Sequence, residues 1–267
     1  NHYNYQLTHT GNDFELTRTR LYTDLWYKDN FRFYAEYLGA WINNNNTSIQ
    51  TIDQNKSDFL NLFFDVKLFE GNGNPAYVRI GRQELLLGSQ RLISPLDWAN
   101  TRRTFQGVRG FRQTEKFDVD VFWVQPVIPN QNRIDSVDNN VNFAGVWTTY
   151  RPEKGKSIDA YYLMLDNANN TTTLDVQRAP FTRHTFGSRY YGNVDNFLFD
   201  TELAMQLGTI EQRNIIAGMA TQGVGYNWKD RAWNPTAWIY YDYASGGGAS
   251  TGTAHTFNQL YPFGHYY

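Results

Sequence analysis

The sequence predicts an all-β fold, a transmembrane antiparallel up-and-down β-barrel, and three observations predict it. Apolar and polar residues alternate with a period of two: Phe31, Phe33, Ala35 and Tyr37 fall on one face of a strand, Arg32, Tyr34 and Glu36 on the other. The connections between such stretches alternate between compact turns and long polar loops, the pattern of bacterial outer-membrane barrels. Aromatic residues make up 17% of the chain, with 19 Tyr, 18 Phe and 8 Trp, which suits girdles at both membrane interfaces.

The elements follow in order. Residues 13–27 put Arg18, Arg20, Tyr22 and Asp24 on one face, opposite Leu21, Leu25 and Tyr27. After a turn at Lys28-Asp29-Asn30, residues 31–42 continue the alternation with Arg32 and Glu36 facing inward. Residues 58–69 set Leu60, Leu62, Phe64, Val66 and Leu68 toward lipid against Asn61, Asp65 and Lys67. Strands at 76–86, 104–113 and 117–127 contribute Arg79, then Arg109 or Arg112, then Asp118 and Asp120. Two more, 142–151 and 158–166, flank a turn at 152–156, and the second carries Asp159. Residues 184–191 bring Arg189, and 196–207 set Phe197, Phe199, Leu203, Met205 and Leu207 against Asp200, Glu202 and Gln206. In 215–228, Gly223 and Gly225 mark a bulge or a close approach by another group. Residues 236–244 end the series with Asp242, and a partial strand is expected in the last ten residues. These make about twelve strands, most near the roughly 9–11 residues that cross a bilayer at a tilt. The long loops are 43–57, 87–103, 129–141, 167–183 and 245–256; the connection 208–213 is short where a long one is due.

No linker or compositional break divides the 267 residues, so 1–267 reads as one domain. Mean hydropathy is −0.61, and no run approaches the roughly 18 apolar residues of a membrane helix. That excludes helical spans and leaves a barrel open, since only every second strand residue faces lipid. A net charge of −2 gives no field to attract nucleic acid. The absence of cysteine excludes disulfides, thiolate nucleophiles and Cys-ligated metals. The chain opens at Asn1 without an initiator Met or signal sequence, as expected of a processed export product or an excerpt.

Alternation assigns Arg18, Arg20, Asp24, Arg32, Glu36, Asp65, Lys67, Arg79, Arg109, Asp118, Asp120, Arg189, Asp200, Glu202 and Asp242 to the pore lining. The early half of this set is more basic, the later half more acidic. One reading is a transverse field that orients a charged or hydroxylated solute; the other is mutual pairing that rigidifies the wall. Tyr22, Tyr34, Trp147, Tyr161 and Trp238 suit sugar stacking, or else interfacial girdles and packing under loops. The 87–103 loop carries Arg91, Asp97, Arg102 and Arg103 and is either a candidate to fold inward as a constriction or an ordinary exposed loop. Asp135, Asp138, Asn139 and Asn140 are oxygen-rich enough for Ca2+, without EF-hand spacing. Gly246, Gly247 and Gly248 read as a flexible loop, and no histidines pair at metal-binding spacing. No cofactor is expected.

Several segments resemble the alginate export family of outer-membrane barrels. They are Tyr77-Val78-Arg79-Ile80-Gly81-Arg82-Gln83-Glu84-Leu85, Gln90-Arg91-Leu92, Trp98-Ala99-Asn100-Thr101-Arg102-Arg103 and Phe105-Gln106-Gly107-Val108-Arg109. Further along come Tyr241-Asp242-Tyr243-Ala244-Ser245-Gly246, Phe257-Asn258-Gln259-Leu260-Tyr261-Pro262 and Gly264-His265, with Phe143-Ala144-Gly145 a weaker match. The resemblance implies a barrel of about eighteen strands, of which this chain is an incomplete copy with strands expected after Tyr267. It implies outer-membrane localisation and passive transport or export of an oligo- or polysaccharide such as alginate, with lipid and the solute as partners. The family's founding exporter has an arginine-rich constriction, whereas the inward set here is mixed. Two other functions stay open. One is a structural or plugged envelope barrel that holds protein partners. The other is a glycoside hydrolase using two carboxylates among Asp118, Asp120, Asp200 and Glu202. The expectation is a channel and not an enzyme.

Overall fold

The computed structural model describes residues 2–5, 10–44, 48–170, 179–247 and 252–264. Gly248, His265 and Tyr267 lie outside the described residues, as do parts of three long loops.

Strands β1 (His2–Tyr5) and β2 (Thr10–Asp13) form a two-stranded sheet of their own. The strands that follow are β3 (Glu15–Tyr27), β4 (Phe31–Asn43), β5 (Asn55–Gly71), β6 (Asn74–Gln83), β7 (Phe105–Arg112) and β8 (Phe117–Ile128). Then come β9 (Ser136–Val137), β10 (Val141–Tyr150), β11 (Ser157–Asn167), β12 (Phe181–Val194), β13 (Phe197–Ile210), β14 (Arg213–Asn227) and β15 (Thr236–Ala244). All but the first two belong to one thirteen-stranded sheet in which each strand pairs antiparallel with its sequence neighbour, β9 lying off the path beside β8. The path from β3 to β15 matches the twelve expected strands one for one. The two-residue β9 and the β1–β2 pair were not expected.

Turn chemistry explains the tight rim. Lys28 and Asp29 sit at φ 50° and 53°, and Asn72 and Gly73 at 55° and 73°. Left-handed pairs of this kind carry the twist that matches a hairpin, and Asn, Asp and Gly adopt them at least cost. The exception expected from the sequence is present: β13 and β14 join through residues 211–212, with Glu211 at φ 51°.

One face of the sheet is apolar and open. Leu21, Phe64, Ile80, Trp123, Leu203 and Ile239 are all exposed on it, as a lipid-facing band requires. Leu60 departs from the expected pattern. It is passed over between the pairs Glu36↔Asn61 and Tyr37↔Phe59, and this bulge turns it inside, where it is buried. Gly223 and Gly225 turn out to mark close approaches: a Cβ there would lie 2.4 Å from the Tyr240 ring and 2.6 Å from the Trp238 ring. Leu203→Arg on the lipid face is expected to destabilise the barrel by about 2–4 kcal/mol. Urea unfolding from lipid vesicles measures this; an unchanged midpoint would place the face in water.

The inner face is not uniformly polar, which corrects the expectation of a polar lumen. On β8 it runs from Asp118 and Asp120 near the tight rim to Phe122 and Val124, and on β11 from Asp159 to Tyr161, Leu163 and Leu165. The half toward the long loops is an apolar core containing Phe105, Phe143 and Phe181. The sheet is curled around what covers this core. Residues of one loop touch both β3 and β13, which a flat sheet would hold about 43 Å apart at the usual strand spacing. Among the described residues the sheet stays open between β3 and β15.

Candidate functional site

The connection between β6 and β7, residues 84–104, folds inward onto the apolar half of the inner face. Leu85, Leu87, Leu92 and Ile93 are buried there with Phe122, Val124 and Phe143. Apolar side chains in an otherwise polar loop drive the insertion. At its tip Gly88 has φ +55°, and a Cβ would come within 2.3 Å of the Trp147 ring. Only glycine meets both demands. Trp147 is itself stacked on Tyr161, with centroids 4.2 Å apart.

Arg91 anchors the loop. Its guanidinium donates to Asp200 and to Glu202, each at 2.9 Å, and is almost wholly buried. The two acceptors stand two residues apart on β13 and therefore share a face, a match for the fork of an arginine. Ser89 and Tyr161 hydroxyls also donate to Glu202, both at 2.9 Å. The far limb of the loop is tied to the first strands: Arg18 donates to the Ala99 carbonyl at 2.9 Å, and Asn100 to the carbonyls of Trp41 and Asp53 at 3.2 and 2.8 Å.

The segment 252–264 comes back inside to complete this filling. Tyr261 exchanges backbone hydrogen bonds with Leu92 and Ser94, and the Phe263 N–H donates to the Gln90 carbonyl. Trp98 Nε1 donates to the Phe263 carbonyl. Arg103 donates to the Ser94 and Pro262 carbonyls at 3.2 and 2.9 Å, and burial brings its guanidinium down to about 10.

On the polar half of the inner face, arginines and carboxylates interlock along the wall. Arg20 pairs with Glu36 at 2.5 Å and Arg32 with Asp24 at 2.7 Å. Arg79 grips Asp65 through two bonds of 2.7 and 2.9 Å. Arg109 pairs with Asp120 at 2.7 Å, Arg151 with Asp118 at 2.5 Å and Arg189 with Asp200 at 2.8 Å. Neighbouring strands thus cancel each other's charge, and the expected split into a basic and an acidic half is resolved locally.

A family model described as Alginate export matches residues 4–267. The chain belongs to the alginate export family. Membership of an export family points to transport rather than catalysis. No curated protein matches the sequence. Among solved structures, the crystal structure of Acinetobacter baumannii OccAB4 is similar at 12% identity and a TM-score of 0.43, over 92% of this chain and 79% of that one.

In this alginate export family member, the two groups of sequence motifs meet in space: Gln90-Arg91-Leu92 and Trp98 lie against Tyr261, Pro262 and Phe263. All four loop candidates are engaged. Arg102 holds Glu84 at 2.6 Å and also bonds Asp97, whose carboxylate lies 3.9 Å from Arg18. Of the wall candidates, Lys67 bonds Glu70 at 3.0 Å near the tight rim, and Asp242 accepts from Thr221 at 2.5 Å. Asp200 and Glu202 are buried beneath the loop instead of lining open space. Trp147 and Tyr161 are likewise covered, whereas Tyr22 stacks on Tyr34, and Trp238 on Tyr240. The four carboxylates considered for hydrolysis each hold an arginine.

Alternation already turned Asn61 inward without assigning it to the pore lining, and Arg183 escaped the sequence reading. Asn61 links Glu36 to Glu84 at 2.9 and 3.1 Å, and Arg183, assigned to a loop, is fully buried on β12 and bonded to Gln206 and the Thr256 carbonyl. The alternation of Phe181, Arg183 and Thr185 was the available signal.

Asp135 and Asp138 do not converge on one point. Asp135 accepts from Asn55 at 2.6 Å and the Asn130 N–H at 2.8 Å, while Asp138 accepts from Asn169 at 2.8 Å. Burial, reinforced by the facing Asp58 carboxylate, raises Asp135 to about 6. Between about pH 4, its ordinary range, and pH 6 the folded state therefore binds the extra proton. Its contribution to loop docking is full below that window and is lost as pH rises through 6. Infrared titration is expected to show a carboxylic C=O band disappearing near pH 6 and absent in Asp135→Asn; a band that persists in the variant belongs elsewhere.

Proposed function

We propose that this protein is an outer-membrane channel for passive transport or export of a polar solute, most naturally an oligo- or polysaccharide. One observation carries the reading: a sheet apolar on its outer face and ion-paired on its inner face, narrowed from within by the 84–104 loop. Lipid is the partner of the outer face and the solute that of the inner face. The family description adds a polyuronate to the candidate cargoes.

Because loop and tail fill half of the interior, a plugged envelope barrel is the second reading. Planar-bilayer recording of the full-length gene product separates the two. Stable single-channel current that added oligosaccharides interrupt supports transport. A folded, inserted protein that passes no current supports the plug.

A further inference from the structure

We infer that the cleft beneath the loop tip is a binding site for the hydroxyl groups of an uncharged oligosaccharide, and that it disfavours polyuronates. This rests on the channel reading above and names its solute class. The cleft holds about 260 Å³ and is lined by Arg109, Arg151 and Arg189 together with Asp118, Asp120 and Asp159. Three guanidiniums therefore face three carboxylates. Arg109 lies 2.7 Å from Asp120 and Arg151 2.5 Å from Asp118. Arg189 stands 3.9 Å from Asp159 and is bonded to Asp200 at 2.8 Å.

Pairing removes the field but leaves hydrogen-bonding capacity. A guanidinium has five N–H donors and a carboxylate about four lone-pair sites, more than one pair consumes. The wall thus offers donors and acceptors side by side in alternation. A sugar hydroxyl donates and accepts at once, so it can use both members of such a row. A carboxylate only accepts. On a uronate chain it would gain from the arginines and be repelled by three fixed aspartates at the same depth, with no net positive charge to offset its loss of water. Leu86 of the loop tip lines the same cleft and is more than half exposed, an apolar edge for the C–H face of a sugar ring. The volume, about 260 Å³, falls just below the roughly 300–1,000 Å³ of sites that enclose a whole ligand, which suits single rings passing in file.

The test uses the full-length gene product in a planar bilayer, with maltohexaose and a hexameric uronate added in turn. The neutral hexamer is expected to interrupt current at a concentration at least about tenfold lower than the uronate, about 1.4 kcal/mol in its favour. In Asp118→Asn/Asp120→Asn, which releases Arg151 and Arg109, the order is expected to reverse. Equal or stronger block of the unsubstituted channel by the uronate overturns the inference, whether or not the variant folds. Absence of any current overturns the channel reading instead. Calorimetric titration of the detergent-folded protein with the same two hexamers then decides the cleft: heat with maltohexaose alone upholds it, and heat with neither, or with the uronate, overturns it.

Discussion

Arg91→Ala is expected to release the inserted loop and raise single-channel conductance several-fold. Among the described residues the guanidinium is the one cation bonded to both Asp200 and Glu202. Without it Glu202 retains the Ser89 and Tyr161 hydroxyls, while Asp200 keeps Arg189. Removing one partner of a buried ionic group costs about 3–5 kcal/mol, chiefly because the other charge stays buried. The protein relieves that penalty by letting water in, and water enters where the loop now sits. Arg91→Lys is expected to fall between the two, since an ammonium supplies the charge without the planar fork. Bilayer conductance together with the urea midpoint checks both; a variant with unchanged conductance would mean that Leu85, Leu87, Leu92 and Ile93 alone hold the loop in place.

Phe143→Ala is expected to lower stability by about 3–5 kcal/mol. The ring is fully buried, with Phe122 and Tyr261 centroids at 5.2 and 5.0 Å and Phe105 at 6.1 Å. It therefore supports wall, loop-flanking strand and returning tail together, and its loss leaves a cavity that β10, paired on both edges, cannot collapse to fill. The outward Phe186, partly exposed, serves as control: in lipid its truncation loses less packing. Urea unfolding from vesicles compares them, and equal losses would show the interior to be no better packed than the lipid face.

The wall was legible in the sequence because a strand repeats every two residues and the lipid demands one apolar side. Thus 236–244 was expected and found at the same limits, and Arg18, Arg20 and Asp24 face where alternation puts them, against the loop, Glu36 and Arg32. The inward fold of the loop was one of two readings its residues left open, an exposed loop being the other, and the family resemblance favoured it. What alternation hides is a strand with apolar residues on both faces. In Phe143-Ala144-Gly145-Val146-Trp147 the period gives no way to tell lipid from core. Leu60 was misplaced because a bulge adds one residue and inverts the parity. Partners from the tail, such as the Thr256 and Pro262 carbonyls, are backbone atoms and carry no sequence signature.

The bond from Arg103 to Pro262 joins positions 159 residues apart. Contacts between distant parts of a chain form late, because the entropy of closing the intervening segment must be met first. Strands pair with their sequence neighbours, so the wall can assemble in chain order, but the fastening of the loop stays incomplete until residues 252–264 have been delivered. Until then Leu92, Ile93 and the rings they cover face solvent, and a nascent molecule carries its interior unsealed. An intermediate stalled before residues 252–264 arrive would thus be recognised by its gaping lumen rather than by any fault in the strands already paired.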